Sequence, residues 1–256
     1  MDLGLTNRAY LVTGGTSGMG FAVAQCLVEE GASVVVASRS RDRVDAAVAR
    51  LGDRARGIPA DISDPGAPDV LIDEVLHAFG RIDGAFISHG GPPGGDALDL
   101  DDDKLEAALE LAAAGPIRLL RQLGRRLDAG SAVVVLTSTS SVEPIAGLAS
   151  SNATRPAVLG YAKTLADEVG PRGIRVNVLL PGRFVTERLS ELHERVAQEQ
   201  GKTFDEVRAD ASAWIPLRRI GDPVELGRVG AFLLSPAASY VTGSAWRVDG
   251  GAVRGL

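Results

Sequence analysis

Thr13-Gly14-Gly15-Thr16-Ser17-Gly18-Met19-Gly20 follows the apolar run Tyr10-Leu-Val and leads into a segment of helical apolar periodicity over 21–30. A glycine-rich turn between a strand and a helix brings main-chain N–H groups close to an anion. No Cβ stands in the way, and the helix N-terminus carries partial positive charge. Gly14 suits the tight turn, Gly18 the approach of backbone to a pyrophosphate, and Gly20 the close packing of helix on strand; Thr16, Ser17 and Met19 line the same turn. Such turns also occur without a ligand, so the strand–turn–helix context carries the reading.

Working outward, the runs Val34-Val-Val, Ala85-Phe-Ile, Val133-Val-Val-Leu136, Ile174-Arg-Val-Asn-Val-Leu-Leu180 and Ala245-Trp-Arg-Val248 alternate with longer helical stretches. Repeated βα units of this kind predict a Rossmann-type, doubly wound parallel sheet of about seven strands with helices on both faces. No repeat, low-complexity tract or linker divides the 256 residues, so a single domain over 1–256 is expected. The charged, helix-like excursion at about 183–216 reads as a substrate-side lid, with amphipathic packing as the competing reading of Phe184, Leu189, Phe204 and Trp214.

The second strand ends in Ser38-Arg39-Ser40, where an NAD site usually places a carboxylate against the ribose hydroxyls. A guanidinium between two hydroxyls suits a 2′-phosphate instead, so NADP(H) is favoured over NAD(H). The competing reading of Arg39 is a solvated loop charge. A net charge of −6 with interspersed signs argues against nucleic acid and anionic membrane as partners. The lone Cys26, set among Val23, Ala24 and Leu27, excludes an internal disulfide and reads as a buried apolar residue. Residues 1–9 lack a basic-then-apolar pattern and no apolar run is long enough to span a bilayer, so a cytoplasmic location is expected. No metal ligand set is assigned.

These residues resemble the short-chain dehydrogenase/reductase family over essentially the whole chain, and most closely its 3-oxoacyl-(acyl carrier protein) reductase-like branch. The resemblance is carried by the Thr13-to-Gly20 turn, by Asp61-Ile62, by Gly90-Gly-Pro, by Gly173-Ile-Arg-Val-Asn-Val-Leu-Leu-Pro181-Gly182 with Thr186, and by Tyr240-Val-Thr-Gly-Ser with Val248-Asp-Gly-Gly251. It implies that Asp61 and Ile62 contact adenine, that Ser88, His89 and Gly90 lie along the cofactor, and that Pro181, Gly182 and Thr186 meet the nicotinamide end. It also implies a homodimer or homotetramer and a small carbonyl or alcohol substrate.

The family's catalytic set is an Asn, a Ser, and a Tyr and a Lys spaced Tyr-x-x-x-Lys. Here Ser138 matches the serine, but Ser151 stands at the Tyr position, Arg155 at the Lys position and Ala112 at the Asn position. An aliphatic hydroxyl and a permanently protonated guanidinium do not make the usual general acid. Tyr161 lies ten residues beyond Ser151, deep in the helix, and reads as packing, as do Tyr10 and Tyr240. The expectation is an atypical oxidoreductase in which Ser138, Ser151 and Arg155 surround the reacting oxygen. A nucleotide-binding pseudoenzyme or partner subunit and a non-redox lyase or isomerase are the alternatives. Three local features bear on this. Pro116 is expected to free the Ala112 carbonyl for a water, and Pro156 to interrupt the helix and turn Arg155 out of α geometry. His89 reads either as a packed, hydrogen-bonded residue or as a proton exchanger near neutrality.

Overall fold

Strands of alternating destination build the centre of this chain, described by a computed structural model over residues 2–255. In β1 (Ala9–Thr13), Leu11 turns to one core while Tyr10 and Val12 turn to the other. In β2 (Ser33–Ser38), Val35 opposes Val34 and Val36 in the same way. Both faces are therefore buried, which explains the near-continuous valine runs. With β3 (Ala55–Pro59), β4 (Gly84–Ile87), β5 (Ala132–Leu136), β6 (Arg175–Pro181) and β7 (Ala245–Val248) they form one parallel sheet in the order β3-β2-β1-β4-β5-β6-β7. The Rossmann-type architecture is as expected from the sequence.

Helices α1 (Gly18–Glu29), α2 (Arg41–Leu51) and α9 (Pro223–Leu234) cover one face; α3 (Ala67–Phe79), α5 (Gly115–Arg126) and α6 (Ala149–Val169) cover the other. Strand order reverses between β1 and β4. In open α/β sheets that reversal opens a crevice beyond the carboxyl ends of the strands. Among the described residues no helix is long and apolar enough to cross a membrane.

The two prolines sit in different local geometries. Helix α4 (Asp102–Leu109) runs into α5 through a wide turn at Glu110–Ala114, in which the Gly115 N–H donates five residues back to the Glu110 carbonyl. The chain before Pro116 is thus a wide turn in place of a regular α-helical one. Pro156, by contrast, does not break α6, which continues through it to Val169, and Arg155 keeps helical geometry. Val158, Ala162, Leu165, Ala166 and Val169 bury their side chains on the sheet, and that packing outweighs one lost backbone hydrogen bond and the proline's steric cost. The 183–216 excursion folds as α7 (Glu187–Gln200) and α8 (Phe204–Ser212), with Phe184, His193, Ala197 and Val207 buried and Trp214 exposed.

Helices α1 and α9 approach closely at Gly227, where a Cβ would lie 2.7 Å from the Ala22 carbonyl oxygen and 3.0 Å from Cys26 Sγ. Burial around that sulfur also pushes the Cys26 thiol up to about 11, so it is inert, as its sequence setting suggests. Gly227→Ala is expected to force the helices apart and cost about 1–3 kcal/mol. Thermal unfolding should show a Tm lower by several degrees; an unchanged Tm would contradict this packing.

Candidate active site

The crevice is held open by a clamp between the ends of β1 and β4. Thr13 Oγ1 donates to the Ser88 carbonyl at 2.7 Å and accepts from the Ser88 N–H at 3.0 Å. Above the clamp the glycine turn is sterically compelled. Gly14 has φ +58°, and a Cβ on Gly20 would sit 2.2 Å from the Gly14 carbonyl oxygen, so α1 can begin against β1 only with glycine there. Ser17 is the N-cap, yet its hydroxyl does not cap the helix, and the first turn of α1 holds no acidic residue. The helix N-terminus, with exposed Ser17 and half-buried Thr16, Gly18 and Met19 around it, is suited to an anion.

The tip of β2 supplies a second feature of the same sign. Ser38 Oγ is buried without a hydrogen-bond partner. Arg39 beside it is exposed, and Ser40 Oγ caps α2 by accepting from the Arg43 N–H at 3.4 Å, which leaves its own O–H to donate. The first turn of α2 adds Arg41 and Arg43, which the sequence reading did not single out. Their signal was legible: helix N-termini favour acids, and paired arginines there go against that preference. Asp61 Oδ1 accepts from the Ser63 N–H at 2.9 Å and shapes the turn after β3, and Ile62 is buried beneath it. A Cβ on Gly115 would lie 2.6 Å from the Ile62 carbonyl oxygen, so the wide turn before α5 presses on this loop.

At the far side, β6 ends in buried Pro181. The Gly182 N–H donates to the Val248 carbonyl at 2.9 Å, fixing the loop that follows. Thr186 Oγ1 accepts from the Leu189 N–H at 3.3 Å as the N-cap of α7, and a Cβ on Gly18 would lie 3.4 Å from the Thr186 methyl. The start of the excursion thus lies against the glycine turn.

The remaining candidates converge on a hydrogen-bonded group at the ends of β4 and β5 and the start of α6. Ser138 Oγ accepts from the Ser140 N–H at 3.1 Å, and Ser140 Oγ lies 3.1 Å from Ser151 Oγ. Sequence spacing missed Ser140, because the run Thr137-Ser-Thr-Ser-Ser141 offers several hydroxyls at similar distance. Buried Arg155 places Nη1 2.8 Å from His89 Nε2 and 3.4 Å from the Leu136 carbonyl. His89 Nδ1 lies 2.8 Å from the Gly90 carbonyl. A carbonyl only accepts and a guanidinium only donates, so His89 is the neutral tautomer with its proton on Nδ1. Lost hydration first, and the Arg155 cation second, hold its pKa down at about 3, against a smaller opposing effect from the Gly90 carbonyl. His89 is the packed, hydrogen-bonded residue and not a proton exchanger near neutrality.

No tyrosine replaces the missing phenol among the described residues. Tyr10 is buried in the sheet with its hydroxyl on the Leu234 carbonyl at 3.3 Å, Tyr161 packs against the core, and Tyr240 is fully exposed.

Between its unfolded pKa of about 6.5 and its folded value, His89 binds a proton only in the unfolded chain. Its contribution to stability is therefore full above about pH 6.5 and is lost as pH falls toward 3. His89→Gln is expected to flatten this acid limb in denaturant titrations. In the unaltered protein the His89 ring resonances should not titrate between about pH 8 and pH 5; titration near 6.5 would rule out this environment.

A parallel sheet whose order reverses at a glycine turn, with cations and hydroxyls along the crevice, defines a Rossmann-type α/β protein. The chain belongs to the short-chain dehydrogenase/reductase family: residues 14–253 match the family model described as Enoyl-(Acyl carrier protein) reductase. It is 33% identical over 248 residues to Tropinone reductase-like 3 of Erythroxylum coca, covering 95% of this chain and 92% of that one. Among solved structures it is similar to L-sorbose reductase from Gluconobacter frateurii complexed with NADPH and L-sorbose, with TM-score 0.94 and 29% identity over all of both chains. It is also similar to a variant of actinorhodin polyketide ketoreductase with NADPH, with TM-score 0.89 and 27% identity over 97% of this chain and 98% of that one.

Proposed function

We propose that this chain is an NADP(H)-dependent oxidoreductase that interconverts a carbonyl and an alcohol on a small molecule, with Ser138, Ser151 and Arg155 around the reacting oxygen. The observation that carries the reading is the buried, unpartnered Ser38 hydroxyl at the tip of β2, followed by exposed Arg39 and by a first turn of α2 in which Arg41 and Arg43 flank Asp42. A buried hydroxyl without a partner is costly, and a phosphate oxygen is a natural acceptor for it. The residues fit the cofactor along its length. The Gly14-to-Gly20 turn would hold the pyrophosphate, Ser38, Arg39 and Ser40 the 2′-phosphate, and Asp61 and Ile62 the adenine. Ser88, His89, Gly90, Pro181, Gly182 and Thr186 would hold the nicotinamide end. The NADPH complexes of the solved relatives support the same choice.

When bound, NADP(H) supplies or accepts the hydride. Arg155 stabilises negative charge on the reacting oxygen without giving up a proton. The serine hydroxyls orient that oxygen by hydrogen bonds. His89 has its one N–H on the Gly90 carbonyl and its lone pair toward Arg155, so the proton is exchanged with water or with the substrate. The absence of a phenol here also favours a second reading, a nucleotide-binding subunit without turnover.

Calorimetric titration with NADPH and NADH tests the foundation. NADPH should bind more tightly, and Arg39→Ala should weaken it by about tenfold or more, the scale of one charge-assisted hydrogen bond. Failure to bind either nucleotide would overturn both readings. Loss of reduced-nicotinamide absorbance with a panel of ketones supports the oxidoreductase; tight binding with no turnover selects the second reading; product formed without a redox change selects a lyase or isomerase. Ser151→Tyr combined with Arg155→Lys should raise the reductase rate if proton supply limits it.

A further inference from the structure

Helix α6 carries Ser151 and Arg155 but starts without a capping side chain, because its N-cap is Leu148. Donors of its first turn go to neighbouring chain instead. The Ala149 N–H donates to the Gly95 carbonyl at 3.1 Å, and the buried Ser150 hydroxyl donates to the Pro93 carbonyl at 2.6 Å. The Gly95 N–H donates in turn to the Gly147 carbonyl at 2.7 Å. The loops that follow β4 and β5 are therefore fastened to each other as well as to the helix.

Asn152, the residue after Ser151, makes a different attachment. Its Oδ1 accepts from the Ile145 N–H at 3.0 Å, and its Nδ2–H donates to the Ile145 carbonyl at 2.9 Å. One carboxamide thus satisfies both main-chain groups of one residue, as a neighbouring strand would. The same carbonyl accepts from the Leu148 N–H at 3.2 Å, so both of its lone pairs are used. Aspartate at 152 would set a second acceptor against that carbonyl, and leucine, of similar shape, would supply neither donor nor acceptor.

The other end of this loop lies among the serine hydroxyls. Ser140, five residues before Ile145, donates its N–H to Ser138 Oγ at 3.1 Å and places its own Oγ 3.1 Å from Ser151 Oγ. Between them the chain is a tight turn over Thr139–Ser141, extended by the Val142 and Glu143 N–H groups, which both donate to the Thr139 carbonyl at 3.1 Å. A turn closed in this way passes a displacement at Ile145 on to Ser140. Consecutive residues of α6 thus hold one loop at two points, Ser151 at Ser140 and Asn152 at Ile145.

We propose that Asn152 is a positioning residue which, by holding Ile145, sets the alignment of Ser140 with Ser151 and so the direction from which the serine hydroxyls meet the reacting oxygen. This rests on the oxidoreductase reading and adds to it a residue that acts only through the loop.

Asn152→Leu removes both bonds, and Asn152→Asp removes one and adds repulsion. The bonds among Pro93, Gly95, Gly147, Ala149 and Ser150 remain, so both variants are expected to bind NADPH as the unaltered protein does. With the panel ketone that is reduced fastest, kcat per bound NADPH should fall about ten- to a hundredfold while KM stays nearly constant, the scale of a group misplaced by about 1 Å. A loss of stability alone would lower the amount of NADPH-binding protein and not this rate. Should Asn152→Leu not fold, the nearly isosteric Asn152→Asp carries the same test. Ser140→Ala removes the link, so adding Asn152→Leu to it should cost little more; additive losses would overturn the path through Ser140. Unchanged kcat in both Asn152 variants would overturn the proposal and leave carbonyl reduction standing. If the unaltered protein reduces no ketone, the oxidoreductase reading falls, and a crystal structure of Asn152→Leu decides the alignment. Ser140 Oγ and Ser151 Oγ parted beyond hydrogen-bond reach would support it, and the pair still 3.1 Å apart would overturn it.

Discussion

Everything in this crevice depends on how closely α1 can begin against the end of β1. At Gly20 the gap to the Gly14 carbonyl is smaller than any Cβ tolerates, and Gly14 itself occupies left-handed backbone space. That approach aims the α1 N-terminus across the ends of β1 and β4, and the Thr13–Ser88 pair of hydrogen bonds keeps those ends in register. The other elements of the site lie around this point. The tip of β2 is one strand away on one side, and the hydroxyl-lined ends of β5 and α6 lie on the other. A sheet whose order did not reverse here would have no gap for a ligand between those two sides.

The net charge of −6 says little about this local field. Many acids are committed elsewhere: Asp101, Glu206 and Asp222 cap helices, and Asp83 is shared between Arg8, Arg81 and the Ala9 N–H. Asp61, the acid nearest the proposed adenine site, accepts from its own turn. Around the crevice stand an uncapped helix end, exposed Arg39 at the tip of β2, and Arg155, while in the first turn of α2 Arg41 and Arg43 flank Asp42 and Arg41 lies near Asp45. Exclusion of nucleic acid from the bulk charge and attraction of a small polyanion from the local charge are therefore compatible.

Most of the fold was legible because both faces of the sheet are buried, so strands announce themselves as apolar runs. The strand without an apolar run, Ala55-Arg-Gly-Ile-Pro59, lies at the sheet edge. Its Gly57 is demanded by Val44 and Val48 of α2, whose side chains would be 2.3 and 2.8 Å from a Cβ there, and no local pattern encodes a neighbour's bulk. Pro156 misled for the same reason, since local propensity does not contain the tertiary packing of α6. At the site, residue types were readable but partners were not. The Ser140–Ser151 contact and the His89–Arg155 contact join residues 11 and 66 positions apart.

That last contact bears on why the familiar pair is absent. Arg155 offers a planar fork of donors, and neutral His89 offers one lone pair, itself set by the Nδ1–H bond to Gly90; the permanently charged Arg155 and the Gly90 carbonyl together fix the protonation state of His89. A lysine at 155 would bring one compact ammonium in place of the planar guanidinium whose Nη1 faces both His89 Nε2 and the Leu136 carbonyl. Arg155 and His89 therefore form one arrangement, and Ser151 with Ser140 forms another beside it on α6. The first arrangement keeps a fixed positive charge beside the serine hydroxyls, and His89 within it does not exchange a proton near neutral pH. On the proposed function, a proton reaching the reacting oxygen then comes from solvent or from the substrate, because the charge beside it is a guanidinium that does not release one.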